Sequence, residues 1–288
     1  MSQILHSASV KKLITKALKA ECKALSEKNI FPQLKVVLVG SDPASIIYTS
    51  NKKKFCEKIG ARCEIVELPE NISENEFLTT INQINTDDSV HGCIIQLPLP
   101  KQLSHLDAGY LVKREKDVDG FHPENVFALV SNNSDGKHFI SCTPKGILTL
   151  MQENDIDVSG KHVVIVGRSM IVGKPLAMLL TNHNATVTLC HSHTKNLKEV
   201  TKSCDILVSA IGKAHFIDET FISAKKNQVI IDVGMNTDTH GQLCGDVNFE
   251  KVKDLVSAIT PVPGGVGPMT IVSLAQNLLQ ASKNRLFL

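Results

Sequence analysis

The sequence predicts an α/β protein of two domains, each built on a mostly parallel sheet with helices on its faces. Three observations point there. Short apolar runs alternate with segments of helical spacing along the whole chain. A loop-rich stretch, 113–142, divides two such sets. The 288 residues suffice for one large or two ordinary domains with full cores.

Taken in order, residues 9–28 carry helical spacing, and Lys35–Val39 reads as a buried strand ending at Gly40. Asp42 and Pro43 supply an N-cap and a first-turn proline for the next helix, and Gly60 stops it. Glu64–Leu68 is a second strand. Ser73-Glu-Asn-Glu76 has the capping-box pattern of another helix, followed by the strand Gly92–Gln96. Leu97-Pro-Leu-Pro100 must then be irregular, because proline donates nothing to a ladder. Asn132-Asn-Ser-Asp-Gly136 has turn chemistry. A helix from Thr143-Pro144 to about Glu153 opens the second set. Its strands are His162–Val166, Thr186–Leu189, Asp205–Ser209, Gln228–Asp232 and Val256–Ile259, with a helix from Gly173. The last helix, from Pro268, is expected to bury Ile271, Leu274, Ala275 and Leu278.

Bulk composition narrows the function classes. Thirty-one Lys and Arg against 29 Asp and Glu leave a net charge of +2, with no basic block, so nucleic-acid binding has little support. Apolar runs are too short for a membrane span, and Met1–Leu13 lacks the apolar core of a signal peptide. The eight cysteines form no CxxC pair and read as reduced thiols of a cytoplasmic protein. His191 and His193 have no cysteine or carboxylate at ligand spacing, so no metal is expected.

Two places carry candidate chemistry. Tyr48 and Lys52 are four residues apart on a predicted helix, on one stripe with Ala44, Phe55 and Ile59. A lysine in partly apolar surroundings loses hydration, which disfavours its charged form and suits it to proton transfer near neutral pH. The same spacing also fits a lysine that snorkels to water. The second place is Gly167-Arg168-Ser169, after strand His162–Val166 and before the helix at Gly173. Amide N–H groups and a helix N-terminus there suit a pyrophosphate. The strict GxGxxG pattern is not met, since Ser169 holds its second glycine position and Gly173 lies one residue late. Strand–glycine–helix alone fits a nucleotide site or a plain α/β connection. The next strand runs into Cys190-His-Ser-His-Thr194 with no carboxylate, and Arg168 stands in the turn. If a dinucleotide binds, this favours NADP over NAD. Later strand ends, Ser209-Ala210-Ile211-Gly212 and Asp232-Val-Gly234, are rich in small residues that allow close approach. Pro261–Thr270 reads as a rigid linker or as the wall of a cleft.

Taken together, Tyr48…Lys52, Gln96-Leu-Pro-Leu-Pro100, Lys116-Asp-Val-Asp119-Gly-Phe-His-Pro123, Cys142-Thr-Pro-Lys-Gly146, Gly167-Arg-Ser…Gly173-Lys-Pro175, Val208-Ser-Ala-Ile-Gly212, Asp232-Val-Gly-Met-Asn236 and Thr260–Thr270 resemble one family. It is the bifunctional methylenetetrahydrofolate dehydrogenase/methenyltetrahydrofolate cyclohydrolase family. The likeness runs in order from about residue 36 to the C-terminus. It implies a catalytic domain of residues 1–141 completed by the helix 268–288, a Rossmann-like NADP-binding domain of residues 142–267, and folate in a cleft between them. It implies oxidation of 5,10-methylenetetrahydrofolate by NADP, then hydrolysis of the 5,10-methenyl product to 10-formyltetrahydrofolate, in a cytoplasmic homodimer.

By this resemblance Lys52 is the principal catalytic residue and Gln96 its hydrogen-bonding neighbour. Tyr48 packs on the folate ring and Asp119 holds the pterin edge, while Leu97, Gly264, Gly265 and Pro268 line the folate. Arg168 and Ser192 take the 2′-phosphate; Gly167, Ser169, Gly173, Ala210, Ile211, Gly212, Gly234 and Thr270 complete the cofactor site. The chain departs from the family pattern at Val126-Phe127-Ala128-Leu129, at Asn248 for a frequent aspartate, and at Ser141 for a frequent proline. Two other readings stay open. An NADP oxidoreductase acting on a small hydroxy or keto acid would not need Tyr48, Gln96 and Asp119 together. A non-catalytic nucleotide-binding module would not need Lys52 and Asp119.

Overall fold

The computed structural model describes residues 2–133 and 136–285. Ser134 and Asp135 of the expected turn, and the last three residues of the expected C-terminal helix, lie outside the described residues. The chain divides into two compact units, Leu13–Cys142 with Ile271–Leu288, and Met1–Lys12 with Thr143–Thr270.

In chain order, β1 (Gln3–Ile4) and α1 (Ala8–Ser26) precede β2 (Gln33–Val39), α2 (Pro43–Ile59), β3 (Arg62–Leu68), α3 (Glu74–Thr86) and β4 (Gly92–Ile95). The strands make a three-stranded parallel sheet in the order β3-β2-β4, with Val36 opposite both Ile65 and Ile94. Every residue of β4 is buried, its edge covered through a bridge from Cys93 to Asp117, whereas the uncovered edge strand β3 puts Arg62, Glu64 and Glu67 into solvent. Phe77, Ile81 and Ile84 of α3 pack with Val37, Val39 and Ile95. Short helices α4 (Ala108–Leu111) and α5 (Pro123–Val130) complete the stretch.

The local signals set the helix ends. The Asp42 carboxylate accepts from Ser45 N at 2.8 Å at the start of α2. At its end Gly60 takes φ 94°, ψ 7°, and Ala61 N donates to Cys56 O at 2.9 Å. Ser73 and Glu76 form the expected capping box. The stripe expected on α2 is only half right. Phe55 and Ile59 are buried, but Ala44 and Tyr48 are exposed, and the buried line in the first two turns runs through Ser45 and Thr49. Small hydroxyl-bearing residues face inward there, which hydropathy spacing does not register.

The second set begins with α6 (Cys142–Gln152), β5 (His162–Val166), α7 (Gly173–Asn182), β6 (Thr186–Cys190), α8 (Leu197–Lys202), β7 (Ile206–Ser209) and β8 (Val229–Asp232). The hairpin strands β9 (Asn236–Thr237) and β10 (Leu243–Cys244), then α9 (Phe249–Val252), β11 (Ala258–Ile259) and α10 (Gly267–Asn284) follow. Six strands form one all-parallel sheet in the order β1-β11-β8-β7-β5-β6. Residues Val163–Val166, Ile206–Ser209 and Ile230–Asp232 are buried throughout, the continuous apolar run that a sheet covered on both faces requires. On α10 Ile271 is only half-buried, and the buried line runs through Met269, Val272, Leu274, Ala275 and Leu278.

The sequence-drawn boundaries place the first residues with the catalytic domain. Instead β1 extends the six-stranded sheet: Gln3 N donates to Ser257 O at 2.9 Å, Leu5 N to Ile259 O at 2.8 Å and Ser7 N to Gly264 O at 2.9 Å. A two-residue strand is too short to show a period. Residues 113–142 are not all loop either. His122 caps α5, its Nδ1 accepting from Glu124 N at 3.2 Å, and Pro123 stands in the first turn. The helix escaped notice because Phe127, 70% exposed, and Val130 break the apolar stripe.

Gly60 marks a clean test of α2. A Cβ there would meet only Cys22 Sγ, at 3.6 Å, so a substitution costs backbone strain rather than collision. Gly60→Ala should lower stability by about 1–2 kcal/mol. Urea unfolding reads this as a lower midpoint at unchanged slope.

Candidate active site

In the unit Leu13–Cys142 with Ile271–Leu288, α2 and the end of β4 bring two of the expected residues into contact. Lys52 Nζ, half-buried, donates to Gln96 Oε1 at 2.9 Å. Gln96 follows β4 directly. Its main-chain N donates to Val37 O at 2.9 Å, and its Nε2 donates to Leu97 O at 2.8 Å. With the amide nitrogen engaged, the oxygen faces the lysine. Tyr48 stands one turn before Lys52 and is 36% exposed, with partial burial pushing its phenol up. Leu97, after the strand, is exposed as well.

Asp119 lies beside the same strand end. A parallel bridge between Cys93 and Asp117 lays the loop along β4, and a Cβ on Gly92 would collide with Val118 at 2.8 Å. The loop is pinned from several sides. Val118 O accepts from Asn277 Nδ2 at 2.9 Å and from Cys142 Sγ at 3.3 Å, and Gly120 O accepts from Ser141 Oγ at 2.9 Å. Gly120 has φ 78° and sits where a Cβ would meet Ser141 N at 2.6 Å. Behind it, the buried Asp117 Oδ2 accepts from His122 N at 2.7 Å and Asn125 Nδ2 at 2.8 Å. Asp119 itself is half-buried, and among the described residues its carboxylate has no hydrogen-bond partner. A rigid loop thus presents an acceptor with its capacity unspent.

In the unit Met1–Lys12 with Thr143–Thr270, the turn after β5 is built on close approaches. Gly167 has φ 128°, and a Cβ there would lie 2.2 Å from Ala210 O; on Gly173 it would lie 2.0 Å from Gly167 O. No side chain fits at either position, so the strand, the turn and α7 pack backbone to backbone. Ser169 Oγ accepts from Val172 N at 3.2 Å and from Gly173 N at 3.4 Å. Ser169 therefore ties the turn to the residues that open α7, at the position where the strict fingerprint has a glycine. Gly167 N donates to Cys190 O at 2.9 Å, which joins this turn to the end of β6, and Arg168 and Ser192 are exposed on either side of that bond. No carboxylate follows β6 before Thr194. Ala210, Ile211 and Gly212 follow β7, and Gly234 follows β8. Gly264, with φ 104°, accepts from Ser7 at its carbonyl; Gly265 and Pro268 follow, and Thr270 Oγ1 is 3.2 Å from Thr143 Oγ1. Tyr48, Lys52, Gln96, Leu97 and Asp119 thus belong to one unit, and the other expected site residues to the second.

Residues 5–119 match the catalytic domain of the tetrahydrofolate dehydrogenase/cyclohydrolase family, and residues 141–286 match its NAD(P)-binding domain. The chain belongs to this family. Relatives named bifunctional protein FolD include that of Halalkalibacterium halodurans, 50% identical over 92% of this chain and 93% of that protein. The one from Oceanobacillus iheyensis is 48% identical over 98% of each. Among solved structures, the FolD methylenetetrahydrofolate dehydrogenase/cyclohydrolase of Campylobacter jejuni superposes with a TM-score of 0.94 at 40% identity, covering 99% of this chain and 100% of that one. The Trypanosoma brucei enzyme, complexed with NADP cofactor and inhibitor, gives a TM-score of 0.91 at 32% identity, covering 99% and 98%.

The departures from the family pattern have local explanations. Ser141 replaces a frequent proline with a buried hydroxyl that donates to Gly120 and helps hold the Asp119 loop. Asn248 keeps the cap of α9, its Oδ1 accepting from Lys251 N at 3.4 Å. Phe127 points to solvent, so it does not disturb the packing around Ala128 and Leu129, which are buried. His191 Nδ1 accepts from His193 N at 3.2 Å within its own turn. Among the described residues no group of three or more His, Cys, Asp or Glu could hold a metal ion, and no helix is long and apolar enough to cross a membrane. All eight cysteines are free, and all but Cys63 are buried.

Three buried polar residues near the expected sites were not singled out from the sequence: Asp117, Asp232 and Asp246. Burial pushes the Asp232 carboxyl up to about 7, aided by the charge of Asp246; backbone N–H groups of Val247, Asp246 and Gly234 favour ionisation and oppose the shift. Burial likewise pushes Asp117 up to about 6 against donors on His122, Asn125 and Phe121. Between about 4, the ordinary carboxylate value, and about 6 the folded protein keeps a proton on Asp117 that the unfolded chain has released. The contribution of this group to stability therefore falls as pH rises through that window and is level above it. In urea unfolding, the stability of the parent minus that of Asp117→Asn should decline from pH 4 to 6. A flat difference would mean that the donors keep Asp117 ionised throughout.

Proposed function

We propose that this chain carries out both reactions of its family: NADP-dependent oxidation of 5,10-methylenetetrahydrofolate to the 5,10-methenyl form, and hydrolysis of that product to 10-formyltetrahydrofolate. The observation that carries the division of labour is the 2.9 Å contact of Lys52 Nζ with Gln96 Oε1. An amine fixed at one hydrogen by a neutral, oriented acceptor is restrained in position without being neutralised by a carboxylate. In hydrolysis Lys52 takes the proton of the attacking water and returns one to the ring nitrogen as the carbon–nitrogen bond opens. Tyr48 offers a flat face to the folate ring system, with Leu97 beside Gln96 as an apolar contact. The unpartnered carboxylate of Asp119 accepts from the ring N–H donors of a pterin, a charge-assisted pairing.

The residues present fit a dinucleotide phosphate. Gly167 and Gly173 let the turn pack backbone to backbone against the start of α7, whose N-terminal amides suit a phosphate, and Arg168 is an exposed cation beside a strand end without a carboxylate. The chemistry that bound NADP supplies is acceptance of hydride. Arg168 and Ser192 bind the 2′-phosphate, and the task of Gly167, Ser169, Gly173, Ala210, Ile211, Gly212, Gly234 and Thr270 is to hold and align the dinucleotide. Gly264, Gly265 and Pro268 contribute to the folate side. We further propose a cytoplasmic homodimer supplying one-carbon units for purine, histidine and methionine synthesis; light scattering on the purified protein tests the dimer.

Lys52→Met keeps the apolar stem and removes the amine. Hydrolysis of the methenyl substrate should fall by about 10²–10⁴-fold, and hydride transfer, which depends on alignment, should fall less. Separate assays of methenyl formation and methenyl hydrolysis check this. Persistence of hydrolysis at the parent rate would make Lys52 a surface lysine.

Arg168→Ala should weaken NADP binding by roughly 10–100-fold, the worth of a charge-assisted contact, and leave NAD little changed. Titrating both cofactors in the dehydrogenase assay decides it. Equal losses would remove the 2′-phosphate from the role of Arg168.

A further inference from the structure

The loop that leaves β7, Ser209–Lys213, is held by a carboxylate from a distant part of the chain. Asp246 is fully buried, and its Oδ2 accepts from Ile211 N at 2.7 Å, from Gly212 N at 3.3 Å and from Ser209 Oγ at 3.1 Å. Its Oδ1 accepts from Lys213 N at 2.9 Å and from Asn236 Nδ2 at 3.0 Å. Three consecutive amides thus converge on one side chain. Such a row of N–H groups is an anion-binding concavity. Here the protein fills it with its own anion.

A second carboxylate fixes the first. Asp232, at the end of β8 and opposite Ser209 in the sheet, accepts at Oδ1 from Asp246 N at 3.0 Å and from Gly234 N at 3.0 Å. Its Oδ2 accepts from Val247 N at 2.8 Å. The two carboxylates are enclosed by glycines that tolerate no substitution. A Cβ on Gly234 would lie 2.2 Å from Asp246 Oδ1, and one on Gly245 would lie 1.8 Å from Asp232 Oδ2. The loop then bears on the glycine turn, since Ala210 O occupies the space that a Cβ on Gly167 would need.

We infer that Asp246 is a positioning residue for the dinucleotide: it sets the Ser209–Lys213 loop and, through Ala210 against Gly167, the turn after β5. This rests on the reading of that edge as the cofactor site. Because the amides of residues 211–213 are taken by Asp246, they do not compete for the cofactor's phosphates, which are left to the turn and the N-terminus of α7. The loop is common to NADP and NAD, so Asp246 governs how well either dinucleotide is held and not which one is chosen. That distinguishes it from Arg168.

The test uses the full-length enzyme and its two activities. Asp246→Asn keeps size and shape but turns an amide donor toward N–H groups. KM should rise about 10–100-fold for NADP and for NAD by the same factor, while hydrolysis of methenyltetrahydrofolate, which needs no dinucleotide, stays at the parent rate. Loss of both activities together would mean that Asp246 serves stability alone, and an unchanged KM would mean that the loop does not position the cofactor. Should Asp246→Asn not fold, Asn236→Ala and Ser209→Ala each remove one donor to the same carboxylate and should show the same split on a smaller scale; its absence in both overturns the inference. A parent enzyme that formed no methenyl product with NADP would instead overturn the functional reading itself.

Discussion

All six strands of the larger sheet run in one direction, and this constraint governs what the rest of that unit can do. Parallel strands deliver their carboxyl ends to a single edge, where the ladder stops and backbone groups need new partners. Gly167 follows β5, Cys190 ends β6, Ser209 ends β7 and Asp232 ends β8, with Val166 opposite both Cys190 and Ser209 in register. Residues far apart in sequence are therefore neighbours at that edge. The three-stranded sheet repeats the logic on a smaller scale, because Gln96 and the Asp119 loop lie at and beside the end of β4.

Loops at such edges are irregular, so their amides cannot be satisfied by a neighbouring strand. The chain meets that need with buried carboxylates. Asp117 takes the amides that open α5, Asp232 takes those of Gly234, Asp246 and Val247, and Asp246 takes those of Ile211–Lys213. A carboxylate accepts at two oxygens, so one side chain can order several residues of backbone. The cost is desolvation of the charge, visible in the raised values of Asp117 and Asp232. Lys52 is held by one neutral acceptor, and among the described residues the Asp119 carboxylate has no hydrogen-bond partner.

Much of this was legible from the residues. Caps and stops are local chemistry, so Asp42, Pro43, Gly60 and the Ser73–Glu76 box gave their helix ends directly. The buried strands of both sheets were legible because burial on two faces demands unbroken apolar runs. Tyr48, Lys52, Gln96, Asp119 and Arg168 stand as candidates through their residue types and the resemblance of their motifs to one family. Elements of two to four residues, such as β1, β9, β10 and α4, were not legible, since no period fits inside them. The α2 stripe was misread at Ala44 because inward-facing Ser45 and Thr49 look polar in a hydropathy pattern.

The sequence by itself determined the α/β class, the order of the main elements and the residue types proposed for the chemistry. Those follow from periodicity, capping and residue type, all of which act within a few positions. Only the tertiary structure decided that β1 joins β11, that Lys52 meets Gln96 across 44 residues, and that Asp246 closes on a loop 33 to 37 residues earlier. These are long-range pairings of polar groups. Their partners are chosen by which backbone donors and acceptors remain unsatisfied once the sheets have formed, and no local pattern in the chain records that choice.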